Sequence, residues 1–351
     1  MMAERHAADS RPPQAAPIVN YLSESAFGFQ GNGVHTAFLN TLSMMRATGA
    51  FRVKANSFGP YAILHAHTFG PLYWLMKWLH RGKRVIHAHA IPDTLVGQVM
   101  GTGVWLPIFT SYLVMYFNSA DAVICMTEQL RTYLAKMGVR RPMTVVSLPM
   151  DLSRFSRSAE LRASGRRKLG FTDADHVVLC VGQIIPRKGF FDFIEVARQN
   201  PEQRFVWVGE IPFSVASESY FRVKHLVSHA PPNVTFPGVF ELHEMPEFYN
   251  AADVFFFPSL QETFGLAIAE AAACEVPLVL RDLATYRESF GGHYLAADGV
   301  EGFTAHLRAL KCSESLRQEY GARGMNAVRR YDTTSVADDL TRLYRQVLGE
   351  R

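Results

Sequence analysis

The chain alternates short apolar runs with longer segments in which apolar residues recur at helical spacing. Apolar runs of four or five residues, bounded by turn residues, predict buried strands. Strands that alternate with helices are typical of parallel sheets covered by helices, so we predict an α/β fold. The predicted strands are residues 18–21, 62–65, 84–88, 122–125 and 144–147 in the first half, and 177–181, 205–208, 234–236, 254–257 and 278–280 in the second.

The two groups of strands predict two domains, and a length of 351 residues suffices for two cores of ordinary size. We expect the first domain to cover residues 17–152 and the second to cover residues 153–332, with the crossing near residues 148–155. Residues 333–351 are predicted to contain an amphipathic helix, because apolar residues recur there at helical spacing. Residues 1–16 are polar and contain proline, which favours a disordered tail rather than a signal peptide or a membrane anchor.

Composition and charge are those of a globular protein, with 48% hydrophobic and 19% charged residues. The formal net charge of +4 is mild, and the basic residues lack the dense clustering of nucleic-acid-binding proteins, so we expect no nucleic-acid partner. The cysteines are scattered singly, which predicts reduced thiols in a cytoplasmic protein and indicates neither a disulfide framework nor a zinc-binding spacing.

The most informative stretch is residues 254–270, where an apolar strand is followed by Glu262, Gly265 and an alanine-rich helix that carries Glu270. Helices of apolar and small residues seldom bury a carboxylate unless it binds something. Two glutamates at this spacing are suited to accept hydrogen bonds from two groups of sugar hydroxyls. The free amides of the helix start lie between them and suit an anion. Ribose, diphosphate and hexose in one cleft describe a nucleotide sugar.

Two further segments indicate an anion-binding cleft. Arg187 and Lys188 open a helix after the strand at residues 177–181, and two cations at the positive end of a helix repel each other unless an anion joins them. A pair of solvated surface charges is the alternative. Gly31 and Gly33 follow the first strand and allow a backbone to approach a ligand closely, although taken alone they are better explained by an ordinary glycine turn.

Histidine pairs end two of the predicted strands, at His65 and His67 and again at His87 and His89. Alternating residues share one face of a strand, so each pair is a candidate for metal binding. No acidic or cysteine partner accompanies either pair at metal-binding spacing, and we therefore expect no metal. A hydrogen-bonded histidine of the core is the simpler interpretation of His87.

Residues 181–189, 250–253 and 262–270, in this order along the chain, resemble the retaining glycosyltransferases of the GT-B fold, family 4. The resemblance covers nearly the whole chain. It implies two facing Rossmann-like domains of parallel sheet around a central cleft. It also implies that the donor binds mainly to the second domain and that the C-terminal helix returns to the first.

The resemblance also assigns roles to individual residues. It implies that Glu270 holds the ribose, that Arg187 and Lys188 hold the diphosphate, and that Glu262 holds the hexose. His89 would contact the hexose and orient the acceptor hydroxyl, with Asp93 beside it or acting as a helix cap. The catalytic residues implied in this way are His89, Arg187, Lys188 and Glu262. The donor-binding residues implied are Gly31, Gly33, Gly182, Arg187, Lys188, Glu262, Phe264, Gly265, Leu266 and Glu270.

One departure from the family pattern narrows the resemblance. Gln183 stands where many relatives have arginine, and the cation lies instead at Arg187, as in the bacterial diacylglycerol glucosyltransferases. This similarity implies UDP-glucose as the donor and diacylglycerol or a related glycolipid as the acceptor. It implies neither a cofactor nor a metal, because the cations neutralise the leaving phosphate. Those enzymes have two consecutive acids where this chain has only Asp93, which leaves the acceptor open.

The first half contains two candidates for contact with a membrane. Residues 94–120 carry no charge and approach the length of a membrane span, but their glycines and proline favour a helix packed on the sheet. Residues 73–84 combine tryptophans with cations, a composition that favours the bilayer interface. We expect peripheral attachment to the inner face of the cell membrane. The alternatives are a soluble transferase acting on a polysaccharide or small sugar, and a catalytically idle binding protein.

Overall fold

The computed structural model of the chain describes residues 16–27, 33–95, 102–212 and 219–350, which form two parallel six-stranded sheets. The first sheet has the order β2-β1-β3-β4-β5-β6, and the second has the order β12-β11-β10-β7-β8-β9. The strands are β1 (Ile18–Leu22), β2 (Arg52–Ala55), β3 (Ile63–Ala66), β4 (Lys83–His87), β5 (Ala122–Cys125), β6 (Met143–Val145), β7 (Val177–Val181), β8 (Arg204–Val208), β9 (Val234–Gly238), β10 (Val254–Phe257), β11 (Leu278–Arg281) and β12 (Leu295–Ala297).

Helices connect successive strands in both halves, as parallel pairing requires, except that β2 and β3 are joined by residues 56–62 without a helix. The central strands are buried along their length, which explains their uninterrupted apolar sequences. The helices are α1 (Gly33–Thr48), α2 (Pro71–Leu79), α3 (Thr102–Asn118), α4 (Glu128–Met137), α5 (Ala159–Leu169), α6 (Phe190–Gln199), α7 (Tyr220–Ser228), α8 (Met245–Ala251), α9 (Leu266–Ala273), α10 (Ala284–Phe290), α11 (Val300–Cys312), α12 (Glu314–Val328) and α13 (Thr333–Leu348).

All ten predicted strands are present within two residues of their predicted bounds, so the α/β prediction is confirmed. Two strands at sheet edges, β2 and β12, were not predicted. Strand β2 alternates basic with small or apolar residues and begins at an exposed position, a pattern that reads as a polar connection. Strand β12 has only three residues, which is too short for a periodic signal.

Helix α13 packs against the first sheet although it follows the second in sequence. Val336, Leu340, Leu343 and Tyr344 share a buried apolar cluster with residues of β1 and α1. The chain crosses between the halves twice at neighbouring points, because the amide of Met150 donates to the carbonyl of Tyr331 at 2.8 Å. The two halves are therefore joined along one edge.

Helix α3 is apolar and uncharged, and it lies against the first sheet. Leu113, Tyr116 and Phe117 are buried on its inner side, whereas Ile108 and Met115 are exposed. A search of the described residues finds no helix with the length and apolarity needed to cross a bilayer. The packed helix expected from the glycines and proline of this stretch agrees with the burial of its inner side.

Candidate active site

The turn after β7 is held against the loop after β10 by a glycine. Gly189 has φ +78°, and a Cβ at this position would lie 2.2 Å from the carbonyl oxygen of Pro258. Glycine is therefore required for both its backbone conformation and its lack of a side chain. This close approach brings Arg187 and Lys188, at the end of the turn, onto the loop that carries Glu262.

Arg187, Lys188 and Glu262 form one partly buried cluster of charges, in which the side chains of Lys188 and Glu262 are 17% and 8% exposed. The Lys188 ammonium is paired with the Glu262 carboxylate, whose Oε1 also lies 3.0 Å from the Ser259 hydroxyl. The Arg187 guanidinium donates to the carbonyl of Gln261 at 2.9 Å. Burial raises the pKa of Glu262, but Lys188 and Arg187 outweigh burial and hold that pKa below its ordinary value. The carboxylate is therefore ionised and the cluster carries net positive charge.

Glu270 lies in the second turn of α9 and is only 5% exposed. Its Oε2 accepts a hydrogen bond from the Tyr249 hydroxyl at 2.6 Å. Its Oε1 is buried and has no hydrogen-bond partner among the described residues. Burial raises the pKa of Glu270 to about 7, although Tyr249 and the nearby Arg154 oppose the rise. A buried carboxylate oxygen without a partner is costly, so a ligand group is expected to meet it.

Two arginine atoms near these carboxylates also lack partners in the described part of the chain. Nη2 of Arg154 and Nε of Arg187 are buried and make no hydrogen bond there. Arg154 was not among the predicted site residues, because residues 148–155 were interpreted only as a crossing between domains. Its Coulombic effect on Glu270 shows that the crossing contributes to the site.

The other predicted donor-binding residues differ in their surroundings. Gly265 has φ +96° and begins α9, so its conformation explains why the position is glycine. Phe264 is buried, with its ring centroid 5.0 Å from that of Tyr331, and it supports the loop from within the core. Gly182 has φ +146° and directly follows β7, and Leu266 is partly exposed in the first turn of α9.

The histidines of β3 and β4 form one cluster rather than two separate pairs. The register aligns His65 with Val85, which brings His67 level with His87. Nδ1 of His67 lies 3.0 Å from Nε2 of His89, within hydrogen-bonding distance. Burial lowers the pKa of all four imidazoles, that of His89 to about 3, so His89 is neutral at physiological pH.

Asp93 and the glycines after β1 are placed differently from the other predicted residues. The carboxylate of Asp93 is exposed and accepts a hydrogen bond from the Tyr133 hydroxyl of α4 at 2.9 Å. Gly33 begins α1, and a Cβ at this position would have no atom within 4 Å. Gly31 lies outside the described residues.

Helices α4 and α10 bring the two halves together beside the charge cluster. The carboxylate of Glu288 accepts a hydrogen bond from the backbone amide of Gln129, near the start of α4, at 3.0 Å. The Thr285 hydroxyl lies 2.6 Å from the side-chain oxygen of Gln129 and 3.2 Å from the carbonyl oxygen of Glu262. Thr285 therefore touches both the first half and the Glu262 loop, a contact between distant segments that no sequence pattern predicts.

Solved structures define the class of fold to which this architecture belongs. Sucrose-phosphate synthase from Thermosynechococcus elongatus matches 95% of this chain and 99% of its own, with a TM-score of 0.80 at 17% identity. The Anabaena protein HepE, solved in complex with UDP-glucose, matches 94% of this chain and 100% of its own, with a TM-score of 0.74 at 17% identity. The two-sheet architecture is the GT-B fold of glycosyltransferases, as predicted.

Sequence comparison identifies the family. The family described as "Glycosyl transferases group 1" matches residues 162–326, and "Glycosyltransferase Family 4" matches residues 21–154. Together the two ranges include most of both sheets. The chain belongs to the family 4 glycosyltransferases with the GT-B fold, which confirms the resemblance drawn from its motifs.

Two curated relatives are similar over most of their length. The alpha-galactosylglucosyldiacylglycerol synthase of Streptococcus pneumoniae is 27% identical over 320 residues, which cover 89% of this chain and 85% of the relative. The processive diacylglycerol alpha-glucosyltransferase of Acholeplasma laidlawii is 26% identical over 318 residues, which cover 90% of this chain and 94% of the relative.

Proposed function

We propose that this protein is a retaining hexosyltransferase that moves glucose from UDP-glucose to a lipid acceptor such as diacylglycerol. The observation that carries the proposal is a partly buried cationic cluster, at Arg187 and Lys188, followed along the chain by Glu270, one of whose carboxylate oxygens has no hydrogen-bond partner among the described residues. Positive charge suits a diphosphate, and a free acceptor suits the hydroxyls of a ribose. HepE, which shares the fold, was solved in complex with UDP-glucose.

In the proposed complex, different residues of the site bind the diphosphate, the ribose and the hexose of the donor. The diphosphate lies against Arg187 and Lys188, so that Lys188 shares its charge between Glu262 and a phosphate oxygen. Oε1 of Glu270 accepts from a ribose hydroxyl. Glu262, held ionised by the two cations, accepts from a hydroxyl of the hexose. The neutral imidazole of His89 meets the hexose from the first half and helps to orient the acceptor hydroxyl.

The proposed reaction occurs on one face of the sugar. The bond between the anomeric carbon and the phosphate oxygen breaks while the acceptor oxygen bonds to the same face of that carbon. The acceptor's proton passes to the leaving phosphate oxygen. No protein nucleophile and no metal takes part in this step. Arg187 and Lys188 stabilise the negative charge that develops on the diphosphate, and the cleft fixes the reacting groups in position.

The lipid acceptor is supported by the two relatives, whose names specify diacylglycerol products or substrates and which resemble this chain over most of their length. Asp93 is the acid that we assign to the acceptor, and its carboxylate stays exposed while it accepts a hydrogen bond from Tyr133. A lipid acceptor enters from a bilayer, so a membrane-facing surface is expected on the first half.

Helices α2 and α3 supply such a surface. They are neighbours, because the indole N–H of Trp74 donates to the Tyr112 hydroxyl at 2.9 Å. Trp78 on α2 is 80% exposed and Ile108 on α3 is 72% exposed, with Leu75, Leu79 and Met115 also exposed. Exposed Arg81 and Lys83 follow α2. Apolar side chains flanked by cations favour peripheral attachment to an anionic bilayer, as at the inner face of the cell membrane.

An assay of both substrates tests the proposed function. The purified full-length protein is incubated with UDP-glucose and vesicles containing diacylglycerol, and released UDP and glycolipid are measured together. We expect UDP release that depends on diacylglycerol and a glucosyl lipid of retained configuration. The variant Lys188→Ala should abolish both signals, because it removes a cation from the leaving group. Transfer only to soluble sugars, or no binding of UDP-glucose, would refute the proposal.

A further inference from the structure

Three of the four clustered histidines carry buried ring nitrogens that make no hydrogen bond to any described residue. These atoms are Nε2 of His65, Nε2 of His67 and both ring nitrogens of His87, in side chains exposed by 0%, 3% and 4%. A buried polar atom without a partner costs about 1–3 kcal/mol, and such atoms are rare in folded proteins. Four in one cluster indicate that a partner for these nitrogens belongs at this place.

The spacing of the three imidazoles fits a metal ion. One ring nitrogen from each of the three lies within 4.8 Å of one from each of the others. Points so spaced share a centre no farther than about 2.8 Å from each, and zinc–nitrogen bonds are about 2.0–2.1 Å long. Each nitrogen would therefore move by no more than about 0.7 Å to bind, which small rotations of the side chains provide.

The remaining nitrogens of two of these histidines have partners outside the set of three. Nδ1 of His65 is hydrogen-bonded to the Tyr344 hydroxyl, and Nδ1 of His67 lies 3.0 Å from Nε2 of His89. Metal-bound histidines almost always donate their second ring N–H to such a partner, which fixes the tautomer. With the proton on Nδ1, the lone pair of each Nε2 is free.

We propose that His65, His67 and His87 form a binding site for a divalent transition ion of the zinc type. Three neutral imidazoles suit zinc, cobalt, nickel or copper, whereas magnesium and calcium prefer oxygen ligands. The fourth position of the ion is open to a water molecule. The ion is not a reactant in the proposed sugar transfer and acts on it only by positioning. It fixes the ring of His67, and through it the tautomer of His89.

The sequence did not predict this site, because each histidine pair supplies two ligands and no third ligand lies close to it along the chain. The third ligand comes from the neighbouring strand, through the register that sets His67 beside His87. The expectation of no metal rested on the linear spacing, which does not reveal contacts between strands.

Metal binding is tested on the full-length protein without a histidine tag. A surface pair, His225 and His229 of α7, has ring centroids 4.2 Å apart and is a competing chelate, so the reference protein carries His225→Asn and His229→Asn. After treatment with a chelator, this protein is incubated with excess Zn²⁺ and desalted. We expect one zinc per chain by elemental analysis, a higher melting temperature, and no rise with Mg²⁺.

Replacement of one ligand localises the ion. His87→Gln in the reference protein should lose the retained zinc and the rise in melting temperature. The matched control is His176→Gln, because His176 also has buried ring nitrogens but lies just before β7 in the second half. It should retain one zinc, and circular dichroism of both variants verifies folding. Retention of zinc by the folded His87→Gln variant would overturn the proposal.

Cobalt provides a second measurement that does not depend on melting. Co²⁺ bound by three imidazoles and one water should give the visible absorption of a four-coordinate ion, and this band should be absent from His87→Gln. No zinc retained and no cobalt band in the folded reference protein would show that the cluster is a metal-free part of the core.

Discussion

Glu270 lies buried on a helix made mostly of alanine, and only one of its two carboxylate oxygens is hydrogen-bonded within the described part of the chain. The sequence identified this residue because a carboxylate is out of place among small apolar side chains. It did not identify Tyr249, whose hydroxyl bonds to the carboxylate from α8, since tyrosine is a common core residue. A single unusual residue is therefore predictable, whereas its partner depends on the packing of two helices.

The raised pKa of Glu270 makes stability depend on pH. Because the folded protein binds this proton up to about pH 7 and the unfolded chain only up to about 4.5, the free energy of unfolding falls as pH rises between these values. The variant Glu270→Gln removes this loss. The difference in free energy of unfolding between the variant and the wild type should therefore shift in favour of the variant by about 2–3 kcal/mol from pH 5 to pH 8, as measured by urea denaturation. An equal difference at both pH values would contradict the assignment.

Removal of Lys188 alone should destabilise the protein more than removal of both charges of its pair with Glu262. Lys188→Met leaves a buried carboxylate without its cation and should lower the free energy of unfolding by about 3–5 kcal/mol. The double variant Lys188→Met with Glu262→Gln should recover much of that loss and remain inactive. Urea denaturation measures both effects.

A matched control for this pair is Lys168→Met, which removes a more exposed lysine paired with Glu244 and Glu247. Its cost should be below about 1 kcal/mol, because solvent screens such pairs. Equal losses for the two lysine variants would show that burial of the Lys188 pair has no energetic consequence.

Among the elements, the turn before α6 depends most on one glycine. Gly189→Ala places a Cβ 2.2 Å from the carbonyl oxygen of Pro258, so the turn must move away from the Glu262 loop. Gly170→Ala is the matched control, because Gly170 has a similar φ of +74° but no atom within 4 Å of the added Cβ. The control should lose about 1 kcal/mol in urea denaturation, from backbone strain alone.

Gly189→Ala should lose clearly more stability than Gly170→Ala and should also weaken UDP-glucose binding in calorimetry. A displaced turn moves Arg187 and Lys188 away from the donor, whereas Gly170 lies at the end of α5 and away from this turn. Equal losses of stability in the two variants would show that the close approach to the Pro258 carbonyl adds nothing to the cost of the substitution.

Helix α13 is attached to the first sheet partly through one hydroxyl. The Tyr344 hydroxyl lies 2.7 Å from that of Tyr21 and is hydrogen-bonded to His65, all in the interior. Tyr344→Phe leaves both partners short of a hydrogen bond and should cost about 1–3 kcal/mol in thermal or urea unfolding. Tyr320→Phe on α12 is the control and should change stability by less than about 0.5 kcal/mol. No difference between the two variants would contradict this role.

Central strands are predictable from the sequence, whereas edge strands and contacts between strands are not. Strands β7 and β10 were predicted because burial on both faces demands an unbroken apolar run. Strand β2, at an edge, needs no such run, and its Lys and Arg resemble a polar loop. The histidine cluster likewise depends on register, because the same residues would remain separate pairs if β3 and β4 were not adjacent.

On the scale of the whole molecule, the exposed apolar side chains of α2 and α3 predict selective attachment of the first half to lipid. A variant with Trp78→Ser and Ile108→Ser should lose most of its flotation with anionic vesicles, since it removes two large exposed apolar groups. Phe221→Ser on α7 is the control, because Phe221 is 67% exposed but lies in the second half. Equal flotation of all three proteins would contradict the assigned surface.

The paired crossings at Met150 and Asp332 govern how the two halves are able to move. Both connections leave from the same edge, so any separation of the halves would be a hinge rotation about that edge. Cleavage of either connection alone would leave the halves tethered by the other. Because α13 packs on the first sheet, a break in the second crossing would also leave that terminal helix in place.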